Sequence, residues 1–147
     1  MGMIPRAILQ IYETANKLKE KGWSYEMKAS FLEIYNESIR DLLMPASAVT
    51  TEKYDIKHAD GHTTVSDLTT IDVKDGDSVQ QLLNKASAHR SVGATQMNER
   101  SSRSHSVFML RLVGRNALTE ETSEGVLNLI DLGEFSCPYL LVFGHTY

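Results

Sequence analysis

The sequence predicts an α/β layered domain, and three observations carry that expectation. Apolar residues recur at helical spacing near the start and again around residues 79–86. Between and beyond them stand β-rich runs of alternating apolar and polar residues. Helical and strand patterns also follow one another along the chain and are not segregated into blocks. With 147 residues, 41% hydrophobic and 23% charged, the chain suffices for one modest domain with a real core. A net charge of −4 gives no electrostatic basis for nucleic acid as a partner. Cys137 is the single cysteine, which excludes an internal disulfide framework and fits a reducing compartment. No apolar run reaches membrane-spanning length and no signal peptide opens the chain, so no membrane and a cytoplasmic location are expected. Arg6 stands where a myristoylation signal needs Ser or Thr, and the sequon Asn36-Glu37-Ser38 carries little weight without a secretory signal.

Pro5 suits the first turn of a helix, where its missing N–H costs nothing. Ile4, Ile8, Ile11, Tyr12, Ala15 and Leu18 then share a helical face, and Gly22 supplies a stop. Such a face either covers a sheet or docks on a partner. From Tyr25 to Tyr35 the pattern turns to strand: Tyr25, Met27, Ala29 and Phe31 alternate, then the apolar phase slips to Leu32 and Ile34. A bulge or burial on both faces accounts for such a slip. Asn36 to Leu43 reads as a short helical turn ended by Pro45, with a polar surface loop from Ala46 to Thr51.

Tyr54 to His58 and Thr63 to Val65 alternate on either side of Asp60-Gly61, a hairpin signature. Thr69 to Val73 is another short β-rich piece before the turn Asp75-Gly76. Asp77 reads as an N-cap with Gln80 three residues later, and Val79, Leu82, Leu83 and Ala86 form one face of a helix ending near Gly93. A strand is expected from His105 to Arg115, a polar loop from Asn116 to Glu124, and a last strand, opened by Gly125, from Val126 to Leu132. No internal repeat is present.

The densest chemistry lies in Asn98-Glu99-Arg100-Ser101-Ser102-Arg103-Ser104-His105-Ser106, directly before the apolar run Val107 to Val113. Serine hydroxyls ligate Mg²⁺ and guanidinium groups grip anionic oxygens, so the stretch suits a phosphate with its cation. A solvated connection has the same composition. Asp131 ends an apolar strand, where ligands of open α/β sheets gather; it either orients Mg²⁺ through water or caps the next turn. His58 and His62 flank Asp60, but a hairpin spreads these side chains and no fourth ligand is near, so no metal is expected there. Asp72 to Asp77 fails the calcium-loop pattern because Lys74 occupies a ligand position. Adjacent strand residues point to opposite faces, so His105 cannot serve Ser104 or Ser106 as a base, and a serine triad is excluded.

The wording of these stretches is more specific than their composition. Asn98-x-x-Ser101-Ser102-Arg103-Ser104-His105 resembles the first switch loop of the kinesin motor domain, and Leu127-Asn128-Leu129-Ile130-Asp131-Leu132 resembles the strand leading into that family's second switch. Gly2-Met3-Ile4-Pro5-Arg6 is similar to the entry to the helix after the phosphate loop. Phe31-Leu32-Glu33-Ile34-Tyr35-Asn36-Glu37-Ser38-Ile39-Arg40-Asp41-Leu42-Leu43 is similar to a family hallmark. Gly22 to Met27 and Thr95 to Asn98 resemble the C-terminal-motor, minus-end-directed kinesins, particularly plant members. The resemblance covers Gly2 to Leu132 and implies a partial domain, residues 1–132: the central slice of the kinesin α/β sandwich, a mixed sheet flanked by helices.

It further implies ATP and Mg²⁺ as cofactors, tubulin in microtubules as the partner, and microtubule-based movement at the cytoskeleton as the function. Ser102 matches the serine that ligates Mg²⁺, and Ser101 the one near the terminal phosphate and attacking water. Asn98 matches the asparagine that steadies the loop, and Asp131 the aspartate that holds a metal-bound water. Arg103 matches the arginine that pairs with a glutamate of the second switch when the site closes. The hairpin from Lys57 to Thr63 falls where the family has a tubulin-contacting loop.

Two departures qualify what the resemblance implies for this polypeptide. No Gly-x-x-x-x-Gly-Lys-Ser/Thr loop occurs in it, so the backbone cradle and lysine for the β- and γ-phosphates are expected before residue 1. Where the family continues Asp-Leu-Ala-Gly-Ser-Glu-Arg, this chain reads Asp131-Leu132-Gly133-Glu134-Phe135-Ser136-Cys137, placing Ser136 where Arg103 needs a glutamate. The chain alone is therefore expected to be catalytically incompetent; the alternative is a non-catalytic, motor-like protein that binds tubulin or a partner chain. Segments for dimerisation, direction and cargo are expected outside these residues. Residues 133–147 read as a divergent tail, and Gly133-Glu134-Phe135 permits the codons GGT-GAG-TTY, which contain a splice-donor sequence, as in a translated intron. Without the phosphate-loop strand, Val126–Leu132 is expected to present an exposed edge, and Tyr139 to Phe143 to be poorly ordered or to adhere opportunistically to apolar surface.

Overall fold

The computed structural model describes residues 3–45, 54–59, 62–94, 104–132 and 140–146. Helix α1 (Met3–Leu18) has Pro5 in its first turn and tightens into a 3-10 turn, Lys19–Lys21. Gly22 closes it with φ 84°, donating its N–H to the Lys19 carbonyl at 3.0 Å, a left-handed cap that suits a residue without Cβ. Strand β1 (Trp23–Tyr35) follows and becomes the centre of the sheet. It pairs with β6 (His105–Asn116) in one unbroken register from Trp23↔Asn116 to Ile34↔His105. No bulge interrupts that ladder, so the slip in apolar phase is burial on both faces: Met27 and Ala29 are buried on one, Leu32 on the other.

Asn36 to Leu43 is not the helical turn expected. Asn36 and Glu37 take φ of 48° and 60°, and β2 (Ser38–Asp41) returns antiparallel along β1 from Tyr35↔Ser38 to Leu32↔Asp41. Two left-handed central residues make the hairpin turn whose twist matches its strands, and Asn accepts that conformation better than most residues. Pairing with a formed edge then outweighs the helical preference of Arg40 and Leu42.

Strands β3 (Ile56–Ala59) and β4 (His62–Val65) form a separate hairpin, as the alternation about Asp60-Gly61 indicated; those two turn residues lie outside the described ones. The short β5 (Ile71–Asp72) pairs with Lys28 and Ala29 of β1. Helix α2 (Gly76–Ala94) is capped by Asp75, two residues before the expected cap. Asp75 Oδ1 accepts the Ser78 N–H at 2.7 Å, and Ser78 Oγ accepts the Asp75 N–H at 3.1 Å. This reciprocal box uses Ser at the third helical position in place of Glu or Gln, which is why the Asp77–Gln80 pattern misled.

Strand β7 (Thr122–Leu132) starts before Gly125, because the Asn116 side chain folds a shorter turn than expected: its Oδ1 accepts the Leu118 N–H at 2.8 Å and the Thr119 N–H at 3.3 Å. Strand β8 (Leu140–Thr146) pairs antiparallel with β7 from Glu124↔Thr146 to Ile130↔Leu140. The exposed β7 edge expected from the sequence is therefore occupied, by this chain's own tail. The sheet order is β2-β1-β6-β7-β8, with β5 beside β1. Every ladder among the described residues is antiparallel, which corrects the mixed sheet in that detail. The layering itself is as expected. Ile8 and Ala15 of α1 and Val79, Leu82 and Ala86 of α2 share one core with Met27, Ala29, Phe108, Leu110, Leu127 and Leu129, so both helices cover the same face.

Asp41 ties the two ends of this arrangement together. It is 6% exposed; its Oδ1 accepts the Leu43 N–H at 2.8 Å and its Oδ2 the Thr69 N–H at 2.6 Å. Lys85 of α2 in turn donates to the Leu43 carbonyl at 2.5 Å. Asp41→Ala strands two backbone donors that had charge-assisted partners, so we expect a loss of about 3 kcal/mol. Asp41→Asn, which keeps one acceptor, should lose less. Urea titration at unchanged slope measures both, and a loss below about 1 kcal/mol for the alanine variant would show the carboxylate to be dispensable.

Candidate nucleotide site

Asp131 lies one residue before the end of β7, and its register partner on β6 is Ser106. Ser106 in turn stands opposite Glu33 of β1. Strand alternation places all three on the helix-covered face, in phase with Ala29 and Phe31, with Phe108 and Leu110, and with Leu127 and Leu129. Glu33 is 3% and Ser106 4% exposed, while Asp131 is half-buried. A polar row thus crosses three strands at one end of an otherwise apolar face. Ser104, fully buried, leads the chain into β6 at this same end. Buried polar groups cost stability unless satisfied, so such a row concentrates chemistry where it stands.

Of the residues expected to hold nucleotide, Asp131 is placed in this row. Asn98, Ser101, Ser102 and Arg103 lie outside the described residues; their segment joins Ala94 of α2 to Ser104. His105 stands in phase with Val107 on the opposite face from Ser106, in agreement with the exclusion of a triad, and its buried Nδ1 has no hydrogen-bond partner. His58 Nδ1 shares a hydrogen bond with Thr63 Oγ1 at 2.9 Å, and no group of three metal-ligating side chains occurs among the described residues. Asp75 is committed to its helix cap. Lys57, His58 and Ala59 are exposed on the separate hairpin, as a contact loop requires.

Hydrogen bonding to Glu124 Oε1 at 2.6 Å raises Arg111 above its ordinary value, and burial raises Tyr25. An apolar groove of about 420 Å³ runs between α1 and the sheet, lined by Ile11, Ala15, Leu18, Leu112 and Leu127 among others. No charged side chain lines it, which makes it unsuited to a triphosphate. Ser106 closes the serine-rich stretch singled out in the sequence, whereas Glu33 was not singled out; its signal is a carboxylate inside the apolar run Phe31-Leu32-Glu33-Ile34-Tyr35.

The family model of the kinesin motor domain matches residues 1–135. The chain belongs to the kinesin motor domain family. It is 53% identical over 133 residues to the kinesin-like protein klpA of Emericella nidulans, covering 89% of this chain and 17% of that protein. It is 54% identical over 136 residues to the kinesin-like protein KIN-14N of Oryza sativa subsp. japonica, covering 89% and 18% respectively. The chain therefore spans less than a fifth of the curated relatives it matches. Among solved structures, the motor domain of Kar3 from Saccharomyces cerevisiae superposes with a TM-score of 0.74 at 42% identity, over 90% of this chain and 40% of that one. A structure described as a fast kinesin gives 0.79 at 32% identity, over 90% and 36%. Kinesin motor domains are ATP-binding, and their architecture is the α/β one described above.

The two readings of Asp131 differ in what they ask of folding. A strand-end cap would hold the following turn, whereas a residue kept for a ligand contributes little to folding. We expect Asp131→Ala to change the unfolding free energy by less than about 0.5 kcal/mol. A loss above about 2 kcal/mol by urea titration would assign Asp131 a structural role.

Proposed function

We propose that this chain supplies the switch segment of an ATP-driven microtubule motor acting at the cytoplasmic cytoskeleton. The observation that carries the reading is the polar row ending at Asp131, at the end of the sheet where the segment bearing Asn98 to Arg103 enters β6. The donor set suits Mg²⁺: hard oxygens, and no three-ligand protein cage among the described residues. Mg²⁺ takes one or two protein oxygens, keeps several waters and relies on substrate phosphates for the rest. Ser102 would ligate it, Asp131 would hold a metal-bound water, and bound Mg²⁺ supplies charge neutralisation between the β- and γ-phosphates. Asn98 steadies the loop, Ser101 stands near the terminal phosphate, and Arg103 closes the site. The hairpin of Lys57 to Thr63, exposed at Lys57, His58 and Ala59, is the tubulin-facing element.

These 147 residues hold no phosphate-loop motif, and Ser136 stands where Arg103 needs a carboxylate. Each preorganised contact of that kind lowers a barrier by about 3–4 kcal/mol, so without both, turnover falls several orders of magnitude. Hydrolysis requires residues beyond these. A second reading, a non-catalytic tubulin-binding protein, is favoured by one observation: β8 occupies the β7 edge.

Phosphate release and calorimetry test the proposal. The 147-residue chain should show neither microtubule-stimulated hydrolysis nor low-micromolar MgATP binding. A polypeptide extended to include a phosphate loop and a complete second switch should hydrolyse ATP and lose that activity on Ser102→Ala. Tight nucleotide binding by the short chain, lost on Ser102→Ala, would overturn the first expectation. Turnover in the extended chain that is indifferent to Ser102→Ala would overturn the second.

A further inference from the structure

The two edges of the main sheet differ in kind. On one side, β2 is four residues long, Ser38-Ile39-Arg40-Asp41, and ends in two charged residues. A short, charged strand resists addition of a further strand. On the other side, β8 is seven residues long, Leu140-Leu141-Val142-Phe143-Gly144-His145-Thr146, without lysine, arginine, carboxylate or proline. Its inner side is committed to β7 from Glu124 to Ile130, and no described strand lies on its outer side. Backbone donors and acceptors on that outer side face water or another strand.

We propose that the outer edge of β8 is a homodimerisation surface, on which β8 of a second copy pairs antiparallel about a two-fold axis near Phe143, the middle residue of the strand. Three observations select a second copy as the occupant. An antiparallel pair of identical strands is self-complementary, so each copy offers the other the surface it requires. The edge carries no formal charge at neutral pH if His145 is neutral, so two chains of net charge −4 meet there without local repulsion. Among the described strands of the main sheet, the blunt β2 edge leaves one long open edge, and one open edge closes into a dimer where two would propagate a fibre. The proposal does not rest on the motor reading and needs no coiled coil.

Sedimentation of the intact 147-residue chain between low and high micromolar concentration tests it. We expect a monomer–dimer equilibrium reaching twice the 16.5 kDa chain mass. Phe143→Lys and Phe143→Glu each place like charges opposite one another and should weaken the dimer roughly tenfold. Mixing the two variants should restore it, because Lys then faces Glu across the axis. Hydrogen exchange at Val126 to Ile130 should stay slow in both variants, since the inner side of β8 is unchanged. A wild-type chain that stays monomeric at high micromolar concentration overturns the proposal without reference to any variant. Growth beyond the dimer, or a variant mixture that stays monomeric with those amides protected, overturns it as well.

Discussion

The ladder between β1 and β6 is the constraint on which the other elements depend. It runs without interruption from Trp23↔Asn116 to Ile34↔His105, so one register fixes the facing of every residue on both strands. A slip of β1 by one residue would turn Met27 and Ala29 away from the helices and bring Lys28 inward. Charged groups buried without partners cost several kcal/mol each, so that alternative is closed. The same register sets Glu33 against Ser106, and the β6–β7 ladder then sets Ser106 against Asp131. The polar row is thus a consequence of core packing some residues away. Its place at the end of the strands is equally constrained, because the middle of this face belongs to the side chains of α1 and α2.

What the ladder does for the sheet, Asp41 does for the connection between sheet and helices. Its two oxygens hold backbone from two segments far apart in sequence, around Leu43 and Thr69. Lys85 then reaches from α2 to the Leu43 carbonyl, so the helix is referred to the same corner. Apolar packing alone lets a helix slide on a sheet by small steps. Directional bonds at one corner remove that freedom. The segment carrying Asn98 to Arg103 therefore leaves a helix fixed at Lys85 and enters a strand fixed by its ladder.

Much of this was legible in the sequence wherever a long periodic pattern met a single partner. The α1 face, the face Val79-Leu82-Leu83-Ala86, the hairpin about Asp60-Gly61 and the strand from His105 were all readable for that reason. Local chemistry with two solutions was read less well. Asn36-Glu37 forms a left-handed pair in the structure, but Glu is an uncommon residue there, so the turn carried half its usual signal. Ser78 completes a capping box that is normally recognised by Glu or Gln. Asn116 shortened the β6–β7 loop through its own side chain, which no periodicity reports. At the candidate site, Asp131 stood out because it ends an apolar strand. Its alignment with Ser106 and Glu33 appears only when three strands are laid side by side.

The tail bears on the relation between family membership and activity. An edge strand offers one set of outward donors and acceptors, and one neighbour uses them. In this chain β8 uses those of β7 from Glu124 to Ile130. Kinesin resemblance implies that the strand leading to the phosphate loop takes that same position. The two arrangements cannot coexist on one edge, and the apolar stretch from Val126 to Ile130 is where they compete. That stretch is apolar enough to be buried by either neighbour, since Val126, Leu127, Leu129 and Ile130 ask for cover and not for a particular partner. Fold identity here resides in the β1–β6–β7 core, and the edge of β7 takes whichever apolar strand completes it.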